Sequence, residues 1–292
     1  MDIQPTRILL QTTIPTTGND WSISRFSRLA ALLREQRDDR GAPIYDVTMR
    51  DRDALDRPDP VLSTIDESGF DQLWLFAVDE GNGLTEQDCA AISRFRENGG
   101  GLLVTRDHMD LGSSVCTLGG IGKAHYFHTV NPDPDAAKRV IDDPYTTYIS
   151  WPNFHSGANG DFQEIEIVGS PHPVLVDEHS PTGAIRFLPA HPHEGDVGPP
   201  EGEGARVIAR GRSKVTGTAF NIAVAFEPGE HGGPGVAQST FHHFADYNWD
   251  PRDGCPSFVD EPPGDGMVRV PEAMADTRRY VLNIAAWLSG GG

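Results

Sequence analysis

Eleven histidines are spread unevenly over 292 residues. Three groups of them set imidazole beside carboxylate: Asp107-His108, His191-Pro192-His193-Glu194-Gly195 and Phe241-His242-His243-Phe244-Ala245-Asp246. An imidazole titrates near neutral pH, so it can carry a proton, and its neutral form binds divalent transition metals. A carboxylate adds a base and a charged oxygen ligand. This inventory fits either a metal site or metal-free acid–base chemistry.

Spacing limits what each group can supply. Side chains on an extended segment alternate faces, and Pro192 biases His191 toward an extended conformation. His191 and His193 therefore point the same way, as two ligands of one ion must. Adjacent His242 and His243 point oppositely if still extended, so one faces the crevice and the other packs beneath a helix. Neither spacing is HExxH, and no glycine run matches GxGxxG after a strand or a P-loop, so no nucleotide site is expected.

Each histidine group follows a predicted strand. The stretch GGGLLVTRDHMDLG, residues 99–112, is the clearest case: a glycine stop, a short apolar strand, then Asp107 and His108. In a parallel α/β sheet the crevice lies beyond the carboxyl ends of the strands. Upstream, strand and helix signals alternate. Residues 7–12, 45–49, 72–78 and 102–105 read as strands, and residues 22–37 read as a helix capped by Ser22 or Ser24. A second helix opens at Thr85, which forms a capping box with Asp88. The link between residues 49 and 72 carries no clean helical pattern.

The order predicts an α/β fold with a flavodoxin-like, doubly wound, mostly parallel sheet. Residues 118–162 break the pattern and read as a loop-rich insertion over the crevice. Strand-like pieces return at 164–168, 185–188, 206–210, 222–226 and 235–240, and a helix over 271–289 closes a single domain spanning 1–292.

Asp and Glu total 43 against 24 Lys and Arg, a formal charge of −19. Such a surface repels phosphate backbones and anionic lipid, so neither nucleic acid nor membrane is an expected partner. No stretch approaches the ~20 apolar residues that span a bilayer. The first residues lack a basic, apolar leader. Cys89, Cys116 and Cys255 are odd in number and far apart, which suits a reducing compartment. The expectation is a cytoplasmic protein with a small-molecule ligand, with self-association into a homo-oligomer left open.

Four segments, GGGLLVTRDHMDLG, SPHPVL, LPAHPHEGD and VAQSTFHHFADYN, resemble the class I glutamine amidotransferase-like superfamily. Within it they are similar to the trehalose-utilisation (ThuA-like) group, in an uncharacterised bacterial subgroup with GDHxDLG, HPHEG and STxHHxxD motifs. The chain departs from that pattern at Arg106, where the motif has Gly, and at Met109, where it often has Glu. The resemblance implies the superfamily fold and suggests a carbohydrate-like ligand. The superfamily's amidotransferases place a nucleophilic cysteine at the strand-to-helix elbow. Here the elbow reads Thr105-Arg106-Asp107-His108, and Cys116 lies about two helical turns on. Without that thiol a thioester route is closed, so glutaminase activity is not expected.

The reading is an enzyme acting on a small polar metabolite, of hydrolase, lyase or isomerase type. Its expected catalytic set is Asp107, His108, His193, His243 and Asp246. Arg106, His191, Glu194, His242 and Trp151 are the expected substrate contacts. If a divalent metal is bound, His108, His191, His193 and His243 are its expected ligands. The alternative is a non-catalytic sensor or scaffold binding a ligand or metal on the same fold. A third reading has the histidines hold the insertion down.

Overall fold

The computed structural model describes residues 4–139, 141–142, 146 and 148–290. Residues 1–3, on which the leader reading partly rests, and residues 140, 143–145 and 147 of the insertion lie outside the described residues.

Four short strands build one half of the central sheet: β1 (Thr6–Thr12), β2 (Tyr45–Arg50), β3 (Gln72–Phe76) and β4 (Gly101–Thr105). Each pairs in parallel, in the spatial order β2-β1-β3-β4. Two small antiparallel pairs follow, β5 (His125–Tyr126) with β9 (Asp196–Val197), and β6 (Phe162–Glu164) with β8 (Phe187–Pro189). The other half of the main sheet is β12 (Gly235–Gln238), β11 (Ala219–Phe226), β10 (Ala205–Arg212) and β7 (Glu166–Ile167). Strand β12 pairs in parallel with β4, and the remaining three pairings are antiparallel. The five parallel strands thus run in the flavodoxin-like order, extended by an antiparallel edge.

The alternation of side chains sorts two cores. Ile8, Leu10, Trp74, Phe76 and Leu103 face α1 (Ser27–Arg34) and α5 (Pro271–Leu288). Leu9, Leu73, Leu75, Leu102 and Val104 face α2 (Glu86–Glu97) and the 3-10 turn Leu62–Glu67. Strands covered on both sides read as continuous apolar runs, which is why QLWLF and GLLVT were legible. Two shorter helices, α3 (Asp246–Trp249) and α4 (Gly266–Arg269), lead into α5.

The capping box of α2 forms: the Thr85 hydroxyl accepts the Asp88 N–H, and the Asp88 carboxylate accepts the Thr85 N–H. The helix expected over residues 22–37 is instead a 3-10 turn, Ile23–Phe26, followed by α1. The Ser22 hydroxyl donates to the Thr17 carbonyl at 2.6 Å and caps nothing. The Ile23 N–H goes to Asp51, and the Ser27 and Arg28 N–H groups go to Asp246, far along the chain.

The insertion behaves differently from a simple cover. Val115, just before the insertion, and Leu118, Ile121, Ala124 and Phe127 within it recur every third residue, the period of a 3-10 helix, and all five join the second core. This first part therefore packs on the α2 side of the sheet. Further on, Tyr148 and Ile149 reach the rim of the crevice.

Candidate metal and ligand site

A cleft of about 560 Å³ opens beyond the carboxyl ends of β1, β3 and β4. Ile14, Val78 and Asp107, each shortly after one of these strands, line it. Between β1 and β3 the chain order reverses, and at such a switch point adjacent connections leave to opposite faces and open a crevice.

Asp107 reaches the cleft floor through a tight turn. Its N–H donates to the Leu111 carbonyl, and Met109 within that turn takes a left-handed φ of 49°. His191 arrives from the loop after β8, and His242 from the 3-10 turn Phe241–Phe244 that follows β12. His191 Nε2 lies 3.4 Å from Asp107 Oδ1, and His242 Nε2 lies 3.8 Å from Asp107 Oδ2. One ligand atom from each of the three residues falls within 4.8 Å of the others, and all three residues are buried. Ligand arms of ~2.0–2.2 Å around one ion place donor atoms roughly 3–4 Å apart, so the spacing suits a shared ion.

The opposite ring nitrogens are held from behind. His191 Nδ1 contacts Asn159 Oδ1 at 3.0 Å, and His242 Nδ1 contacts Asn248 Oδ1 at 2.9 Å. The Asn248 amide donates to Asn159 Oδ1 at 2.8 Å and to the Ala190 carbonyl, which fixes its orientation. Both rings therefore donate from Nδ1 and present a bare Nε2 toward Asp107, the arrangement that second partners impose on ligating histidines. His191 Nε2 has no hydrogen-bond partner. Thr240 adds a link: its hydroxyl donates to Asp107 Oδ1 and accepts the His242 N–H.

Electrostatics favour neutral rings. Burial, reinforced by the neighbouring histidines, holds His191 well below the usual imidazole range. Burial and then His191 do the same for His242, against the opposing pull of Asp107. The two rings stack at 3.6 Å, with Phe241 stacked 4.2 Å from His242. Two like charges at that separation would repel strongly.

Two further imidazoles stand beside the triad. His108 Nε2 is 3.6 Å from Asp107 Oδ2, and burial lowers the His108 pKa to about 4. His193 packs edge-on to both His108 and His191, at 5.4 and 5.6 Å. Its Nδ1 contacts Asn153 Oδ1, and its Nε2 contacts Glu261 Oε1 at 3.0 Å. His191 and His193 thus share the crevice, but not as two ligands of one ion, the role the Pro192 argument gives them: both His193 nitrogens face other partners, and neither His193 nor His108, also an expected ligand, is one of the three grouped residues.

The structure therefore brings Asp107, His108, His191, His193 and His242 together, and separates the other five named residues from them. His243 was expected among the ligands, but the chain has left the strand at this point. The 3-10 turn aims His242 at the cleft and His243 into the core, where Nε2 meets Glu194 Oε1 at 3.1 Å and Nδ1 meets the Gln238 amide. Glu194 is fully buried and accepts from Ser156, Gln163 and Ser239 as well. Its oxygens are committed to tying the loops together, not to a ligand.

Asp246 caps α1, accepting the N–H groups of Ser27 and Arg28 at 2.9 and 2.8 Å. Arg106 is wholly buried with its guanidinium 4.2 Å above Phe127, and donates to the Met109 carbonyl. Trp151 packs at 4.5 Å against His128 in the insertion, the rings tilted by 48°, and is not among the cleft-lining residues. The residues that sequence reasoning missed are Asn159, Asn248 and Thr240. An amide six residues after His242 carries no signal of its own.

The three cysteines are free thiols, and none lines the cleft. Burial pushes the Cys116 thiol up to about 12, the opposite of an activated nucleophile. Among the described residues no helix is long and apolar enough to cross a membrane.

No protein-family model matches this chain, and no curated protein matches it in sequence. Solved structures do. The N-terminal domain of mmIFT52 is similar at 12% identity with a TM-score of 0.52, over 97% of each chain. The glutaminase domain of Trypanosoma brucei CTPS with bound acivicin aligns at 15% identity with a TM-score of 0.47, over 98% of this chain and 95% of that one. A novel carbohydrate deacetylase, Agd3, aligns at 12% identity and 0.41, over 85% of this chain and 32% of its own. The first of these likenesses supports the mixed α/β architecture and carries no activity with it.

Proposed function

We propose that this chain is an enzyme acting on a small polar metabolite at a divalent-metal centre formed by Asp107, His191 and His242. The observation that carries the reading is the triad: three ligand atoms within 4.8 Å, with Asn159 and Asn248 setting both imidazoles to present Nε2. Two neutral nitrogens and one carboxylate would suit zinc and other first-row divalent ions. A bound ion would polarise an oxygen of the ligand. His108, whose ring is neutral at pH 7, stands beside Asp107 as the group that takes up or delivers a proton. Membership of the ThuA-like group, within the class I glutamine amidotransferase-like superfamily, belongs to the same proposal. It rests on the quoted motifs and the sheet order. So does a cytoplasmic setting, which three free thiols suit.

The test is metal analysis and Zn²⁺ titration calorimetry on full-length protein purified without a histidine tag. One ion per chain is expected, with binding abolished in Asp107→Asn and His242→Ala. Wild-type protein that takes up no divalent ion, or variants that bind it unchanged, would sink the metal centre. Stoichiometric metal with no turnover of any polar metabolite would favour a sensor or scaffold.

A further inference from the structure

The cleft around the triad is charged on one side only. Six carboxylates line it, Asp20, Asp79, Glu80, Asp107, Asp260 and Glu261, and no Lys or Arg does so among the described residues. Three of the six are accounted for. Asp107 belongs to the triad, and Asp79 accepts from the Gly81 N–H and the Ser114 hydroxyl. Glu261 contacts His193; burial pushes its carboxyl up, but His193, the Thr146 hydroxyl and His155 together hold it below the usual range. Asp20 accepts the Trp21 N–H at 2.7 Å, and Asp20, Glu80 and Asp260 form no ion pair with any described residue.

A second feature points to a ligand in the same space. His191 Nε2, on a side chain 97% or more out of solvent contact by residue (3% exposed), is aimed into the cleft without a hydrogen-bond partner. Aromatic side chains complete the wall: Trp21 near the floor, and Tyr148 and Phe258 at the rim, 80% and 58% exposed. Carboxylates without ion pairs, in a wall that also carries aromatic rings, suit a cationic group. They repel phosphate and carboxylate.

Resting on the metal-centre reading above, we propose that the substrate is a small organic cation. Its ammonium or guanidinium group is received by Asp20, Glu80 and Asp260, and an oxygen elsewhere in the molecule faces the triad. Even beside a bound divalent ion, these three carboxylates disfavour anionic metabolites, phosphorylated sugars among them, relative to cationic ones.

The experiment compares two matched series on the zinc-supplemented full chain: glucosamine, glucose and glucuronate, and 4-aminobutan-1-ol, 1,4-butanediol and 4-hydroxybutyrate. Affinities are read by ligand-observed NMR titration at low and moderate salt. In at least one series the cation should bind about tenfold more tightly than the neutral member, and the anion most weakly. That preference should shrink as salt screens it. The Glu80→Gln, Asp260→Asn double variant should reduce it to less than about threefold while keeping one zinc per chain. A neutral or anionic member binding as tightly as the cation in both series overturns the proposal, as does a failure of both cations to bind. Absence of zinc with the cation preference intact would overturn the metal reading and leave the charge assignment standing.

Discussion

At the scale of single residues, the site depends on amides as much as on imidazoles. Asn159 and Asn248 touch no ligand position, yet each decides which nitrogen of its histidine is bare. Asn159→Ala and Asn248→Ala should each weaken Zn²⁺ binding about 10–100-fold with little change in fold, measured by calorimetry beside circular dichroism. Asp107→Asn should abolish it, because an amide supplies no charge to the ion.

The sequence made the reacting types visible but not their partners. Asp107, His108, His191 and His193 could be read because a strand end or a proline fixed their direction. The choice between His242 and His243 could not, since it turns on a 3-10 geometry three residues past the strand. Arg106 reads as a substrate contact from its type and its place beside Asp107. It is buried because Phe127, twenty-one residues later, lies beneath its guanidinium.

Among the elements, the short-range signals were the legible ones. The Thr85–Asp88 box, the apolar runs of β3 and β4, and Pro271 at the start of α5 are written within a few residues of where they act. The cap of α1 is not, since it comes from Asp246, 219 positions from Ser27. Asp246→Ala should therefore cost about 1–2 kcal/mol in urea denaturation while leaving metal stoichiometry at wild type. Loss of metal in that variant would mean that the residue serves the site after all.

His172 gives an element-scale pH effect. Its Nδ1 accepts the Val174 N–H at the start of the Pro173–Leu175 turn, and burial lowers its pKa to about 4. Between pH ~6.5 and ~4 the unfolded chain takes up a proton that the folded chain refuses. Stability from this group is thus complete above pH ~6.5 and lost as pH falls toward 4, by up to about 3 kcal/mol. His172→Asn retains an acceptor for the turn and does not titrate, so its stability curve should be flatter over that window. A wild-type and variant pair with equal slopes would refute the assignment.

For the whole molecule, the site joins segments that the chain keeps far apart: the turn after β4, the loop after β8 and the turn after β12. An ion that bridges them binds only the folded chain. At a free concentration near 100 times its dissociation constant it should add about 2.7 kcal/mol of stability, seen as a higher melting temperature that EDTA reverses. No shift on adding Zn²⁺ to metal-free protein would argue against a shared ion. The sheet order was readable because βα alternation permits few topologies. The antiparallel edge and the docking of the insertion's first part on the α2 face depend on contacts that no local pattern encodes.

The two asparagines behind the histidines are joined to each other, and this has a bearing on how the pocket can change. Asn159 Oδ1 takes the proton of His191 and also that of the Asn248 amide, whose own oxygen faces His242. Turning over either carboxamide would set nitrogen against nitrogen along the relay, so neither imidazole can switch tautomer by itself. The pair answers as one switch with a single permitted setting, and a newcomer to the pocket meets both lone pairs already aligned.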